Sequence, residues 1–148
     1  MGIKNLLTII DVVQKKNLAD YKGKRLAIDG YSWIHKCVYN CGHDLVVQNN
    51  KSVFFFKMRN KVEQLLAHDI KVILVFDGDK LPSKENTESI REQRRAEKLG
   101  EAHEFLKEGN HEKANQKFSE SYDVSPQLAY ETFEYLKSQL GSKKIECT

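Results

Sequence analysis

The chain has 148 residues, 40% hydrophobic and 30% charged, with a formal net charge of +3. That size and mix suit one globular domain able to bury its own core without a covalent staple. The mild positive charge permits a polyanionic partner without demanding one, and no apolar run approaches the ~20 residues that a membrane-spanning helix needs.

The opening MGIKNL carries Leu6 where a myristoylation signal requires Ser or Thr, so no lipid anchor is read there. KRLAID (24–29) is a short apolar run ending in Asp29, and Asp29-Gly30 makes the turn into YSWIHKCVYNCGHDLVV (31–47), which reads as one helix. Three cysteines, Cys37, Cys41 and Cys147, form an odd set that predicts free thiols in a reducing compartment. Cys37-x3-Cys41-x-His43 lacks the fourth ligand and spacing of a zinc site, so buried thiols on a helix are the better reading. SVFFFKMRNKVEQLLAHDI (52–70) places Phe55, Met58, Val62, Leu65 and Leu66 at helical spacing, and KVILVF (71–76) follows as a strand. Strands alternating with helices predict an α/β fold, a parallel sheet flanked by helices.

From Asp79 to Lys113 the character changes: 17 of 35 residues are charged, 8 basic and 9 acidic. This predicts an exposed helical insertion with little core of its own. In VSPQLAYETFEYLKSQL, Ser125 is a suitable N-cap, Pro126 fits the first helical position, and Leu128, Phe133, Leu136 and Leu140 form the apolar face. KKIEC (143–147) reads as the start of a third strand. A single copy of a helical-repeat-like unit lies within 112–136, and repeat arrays need about three.

Two strands end alike, LAIDG at Asp29-Gly30 and LVFDG at Asp77-Gly78. In an open parallel sheet, ligands bind outside the carboxyl ends of the strands. If these strands are neighbours, two carboxylates meet there, and they repel unless a proton or a cation lies between them. Hard oxygen ligands of this kind favour Mg²⁺ or Mn²⁺. The competing reading, in which each aspartate only caps the next helix or makes an Asp-Gly turn, stays open. Arg91, Arg94, Arg95 and Lys98 share one helical face, with Lys84 about two turns earlier. They are suited either to charge stabilisation at a phosphodiester or to ion pairs with Glu92, Glu97 and Glu101. Tyr31, His35 and Tyr39 form a stripe just after Asp29, suited to base stacking or to core packing, while Trp33, Ile34 and Val38 face the other way.

MGIKNLL, LAIDGYSWIHK, VILVFDGDKLPSKENTESIREQRR and VSPQLAYETFEYLK together resemble the N-terminal region of the flap endonuclease and XPG-type structure-specific nucleases, most of all their exonuclease 1 branch, over essentially the whole chain. The resemblance implies a PIN-like nuclease domain spanning 1–148, with residues 79–125 as a helical arch. It implies 5′ to 3′ exonuclease and 5′-flap endonuclease activity with two Mg²⁺ ions, in the nucleus. It implies duplex DNA with 5′ ends, nicks or flaps as partner, with mismatch-repair proteins beside it and no small-molecule cofactor. By motif match, Asp29 and Asp77 resemble metal ligands, Lys84 and Arg91 the catalytic basic pair, and Gly2, Tyr31, His35, Arg94 and Arg95 DNA-contacting positions. The family's next acidic motif should begin just after KKIEC, so the resemblance also implies truncation before it. That departure makes a catalytically incomplete DNA-binding fragment the alternative. A phosphatase of the haloacid dehalogenase type is disfavoured, because Lys80 and Leu81 follow the VFDGD motif where Thr or Ser is wanted.

Overall fold

The structure, a computed structural model, describes residues 16–76, 85–141 and 145–147, with only the backbone for 85–88. Three strands, β1 (Arg25–Asp29), β2 (Lys71–Val75) and β3 (Ile145–Cys147), form a parallel sheet in the order β1-β2-β3. Six helices accompany them among the described residues: α1 (Gly30–Val38), α2 (Gly42–Val46), α3 (Ser52–Leu66), α4 (Glu85–Lys107), α5 (His111–Ser121) and α6 (Pro126–Leu140). The α/β architecture and the three strands match the sequence reading.

Alternation along β2 sends Val72 and Leu74 into the core, while Lys71 and Val75 stay exposed. Ile145 pairs with Val72 and lies on the same buried face. Against that face pack Ile34, Cys37 and Val38 of α1, Phe54, Met58, Val62 and Leu65 of α3, and Leu128, Ala129 and Leu136 of α6. Phe54, not the Phe55 singled out from spacing, is fully buried on α3; Phe55 is half-buried and stacks on Tyr135 of α6 at 4.7 Å. The α6 start is as read: Ser125 Oγ accepts from the Leu128 N–H at 3.2 Å, and Pro126 opens the helix.

Residues 31–47 are not one helix. Tyr39 leaves helical geometry, Asn40 takes φ +64°, and α2 restarts at Gly42. Asparagine tolerates that left-handed conformation better than most residues, so the break falls on it. Likewise α3 stops at Leu66, and Asp69 at φ +57° turns the chain into β2.

The charged insertion is helical with little core of its own, as read. It forms a helical hairpin, α4 and α5, turned at Gly109 with φ +75°. It has a small core of its own, Ala102, Ala114 and Phe118, edged by Leu99, Phe105, Leu106 and Val46 of α2. Glu101 holds both Lys98 (2.8 Å) and Lys117 of α5 (2.7 Å) across the hairpin. Helix α5 sits directly on α2: Ser119 Oγ accepts from the Gly42 N–H (3.1 Å) and Asn115 Oδ1 from the His43 N–H (2.9 Å). These contacts satisfy two N–H groups that a helix start otherwise leaves without partners.

Candidate functional site

The site is built at the carboxyl edge of the sheet. Asp29 pairs in register with Val75, so β1 and β2 end side by side. The ring of Phe76, just past β2, closes on Gly30: a Cβ added there would lie 2.3 Å from it. Phe76 also meets Tyr31 edge-on, with ring centroids 5.4 Å apart. Tyr31 is therefore half-buried and partly committed to packing.

Asp29 does two things at once. It is the N-cap of α1, accepting from the Ser32 N–H at 2.9 Å through Oδ1 and from the Ser32 hydroxyl at 2.6 Å through Oδ2. The capping reading of this residue therefore holds. Those bonds, the hydroxyl's first and the backbone's second, keep its carboxyl below the usual carboxylate range, so the group is anionic at neutral pH. A carboxylate has about four lone-pair positions. Two are used here, and the side chain is exposed, so Asp29 fits one ligand position of a hard divalent cation. It is not a cage by itself. Among the described residues no group of three or more His, Cys, Asp or Glu could enclose a metal. Gly2, Asp77 and Lys84 lie outside the described residues.

Six residues after Asp29, in the second turn of α1, stands His35. Partial burial pushes its imidazole below the ordinary value; Arg91 of α4 acts in the same direction, and Asp29 and Asp123 oppose it. The charges felt at His35 thus come from the start of its own helix, the first half of α4, and the connection between α5 and α6. Arg91 itself is exposed on α4. Arg94 is exposed. Arg95 does not pair only along its own helix: its Nη1 lies 3.0 Å from Oδ1 of Asp123. Lys98 points back to Glu101 and belongs to the hairpin's own network. Tyr39 is half exposed but lies past the end of α1, so the three-residue stripe is not continuous. Trp33, assigned to the core, is half-buried and covered by Lys61, whose Nζ lies 5.3 Å from the ring centroid. Cys37 and Cys41 are buried thiols, as read.

Asp123 was not singled out from sequence. It lies 94 positions from Asp29 and two before the N-cap Ser125, with no local pattern of its own. Phe76 was taken only as the last residue of a strand. Both are assigned by tertiary neighbours.

The first 98 residues match the XPG N-terminal domain model, and the chain belongs to that family. It is 34% identical over 131 residues to Exodeoxyribonuclease 1 of Schizosaccharomyces pombe, an overlap covering 88% of this chain and 23% of that protein. It is 32% identical over 148 residues to Exonuclease 1 of Drosophila melanogaster, covering 99% and 20% of the two chains. It is 36% identical over 140 residues to the DNA damage-inducible protein DIN7 of Saccharomyces cerevisiae, covering 93% and 32%. The chain thus spans between a fifth and a third of the length of these relatives.

Proposed function

We propose that this chain carries the amino-terminal part of a structure-specific DNA nuclease that acts at 5′ ends, as exonuclease and 5′-flap endonuclease, in nuclear DNA repair. The carrying observation is an anionic, solvent-exposed aspartate fixed by Ser32 at the carboxyl end of a parallel strand, in a chain of the XPG N-terminal family. A phosphodiester is a poor electrophile, and its hydrolysis needs charge neutralisation and an activated water. Bound Mg²⁺ would supply that water activation and stabilise the leaving oxygen, two ions being the full complement. Asp29 would hold such an ion as one hard oxygen ligand, with Asp77 as a second. Arg91, with Lys84, would neutralise the charge that develops on the phosphate. Tyr31 and His35 would contact the terminal nucleotide. Gly2, Arg94 and Arg95 would hold DNA nearby, with mismatch-repair proteins as companions.

The test is Mg²⁺-dependent cleavage of 5′-recessed and 5′-flap duplexes by the full chain and by Asp29→Asn. Asparagine is a good N-cap but a weak ligand for a hard cation, so stability should survive while cleavage disappears. Undiminished cleavage by Asp29→Asn would rule out its metal role. A second reading is favoured because, among the described residues, no group of three or more His, Cys, Asp or Glu could enclose a metal: a DNA-binding fragment without turnover. Binding of these duplexes with no cleavage by either protein selects that reading.

A further inference from the structure

Asp123 is an acidic group placed inside a basic surface. Its carboxylate takes Arg95 at 3.0 Å, and its charge reaches His35. It does not hold the α6 start together, because Ser125 does that. The Asp123 side chain is 63% exposed, while that of Arg95 is 23% exposed, so solvent and ligands reach the pair from the aspartate side. An exposed pair of this kind is weak, roughly 0.2–1 kcal/mol, and exchanges readily.

We propose that Asp123 competes with a DNA phosphate for Arg95. This rests on the nuclease reading above and makes Asp123 a positioning residue that orients Arg95 before substrate arrives and yields it afterwards. A DNA phosphodiester suits the guanidinium fork as a carboxylate does and carries the same single charge, and the neighbouring phosphates of the duplex, with the counterions they release, add to its pull on Arg95. With the aspartate present, Arg95 is partly neutralised, so engaging DNA there gains less than a full ion pair. The device weakens binding at the mouth of the site and favours release of the cleaved strand.

The experiment measures binding of a 5′-recessed duplex by fluorescence anisotropy in EDTA, from low to moderate salt. The proteins are the full chain, Asp123→Asn, Arg95→Gln, the double variant, and Glu104→Gln as a charge-matched control on the exposed side of α4. Asp123→Asn should bind about threefold to fivefold tighter at low salt. Its log–log salt slope should steepen by up to about 0.9, one further phosphate contact. The gain should vanish when Arg95 is Gln, and Glu104→Gln should match the unmodified chain. A purely structural Asp123 would change thermal stability and leave the salt slope alone. Unchanged or weaker binding by Asp123→Asn, or an equal gain from Glu104→Gln, overturns the competition while leaving the nuclease reading intact. No binding by any of the proteins overturns the nuclease reading, and this inference with it.

Discussion

Two glycines should respond in opposite directions to the same substitution. At Gly42, an added Cβ would lie 2.1 Å from the Ser119 backbone N, 2.5 Å from the Phe118 carbonyl carbon and 2.6 Å from the Asn115 carbonyl oxygen. All three atoms belong to the backbone of α5, so no side-chain rotation relieves the clash. Helix α5 must retreat by roughly an ångström. The retreat forfeits close packing, costing about 1–3 kcal/mol. It also loosens the bonds from Ser119 and Asn115 to the start of α2, each contributing about 1 kcal/mol. Gly42→Ala should therefore destabilise the chain by about 3–5 kcal/mol, a large share of the roughly 5–15 kcal/mol typical of a domain. At Gly100, inside α4, an added Cβ meets nothing within 4 Å. Gly100→Ala should stabilise by about 0.5–1 kcal/mol through backbone entropy and helix propensity. Urea unfolding followed by circular dichroism reads both. If Gly42→Ala falls within about 1 kcal/mol of the parent, or Gly100→Ala is as damaging as Gly42→Ala, the seating of α5 on α2 is wrong.

Replacing Asp29 by Ala should cost about 1 kcal/mol through the lost cap, while Asn should retain most of it; equal losses in urea unfolding would argue against the capping bonds. His35 has a folded-state value below the ordinary histidine value of 6.5, so the native state binds fewer protons than the unfolded chain. Its contribution is complete above pH 6.5 and is lost as pH falls from there toward the folded value; NMR titration of the His35 Cε1–H should show the depressed midpoint, and an ordinary one would refute the packing around it. Asp29 is also depressed, but from 3.8, so its contribution is present above that value and lost in more acidic solution, a separate window in a pH–stability profile. Thr132 is fully buried and donates to the Leu128 carbonyl at 2.6 Å; Thr132→Val keeps its shape and should stay within about 1 kcal/mol, whereas a larger loss by calorimetry would show that the hydroxyl is needed in the core.

Much of the fold is legible along the chain. The apolar runs 25–29 and 71–75 are strands because their β-branched and aliphatic residues suit a sheet covered on at least one face. Ser125-Pro126 starts α6 because capping is a local event decided within one turn. Asp29 was legible for the same reason: its place at the strand end, before a glycine, is written in five consecutive residues. Periodicity failed where a single residue interrupts it. Asn40 and Asp69 adopt positive φ, and nothing in the apolar spacing announces that.

The composition from 79 to 113 determined that the insertion would be helical and charged. It did not determine that Phe118, beyond that segment, would give the hairpin a core, or that Gly42 would be the place where it lands. Those outcomes depend on contacts across more than 70 positions, where only shape and hydrogen-bond partners decide. The candidate site divides the same way. The sequence by itself placed an anionic group at a strand end and cations at helical spacing. Only the tertiary structure brought the charge of Arg91 within reach of His35 and set Asp123 against Arg95, because charge attracts over distance and carries no register of its own until packing supplies one.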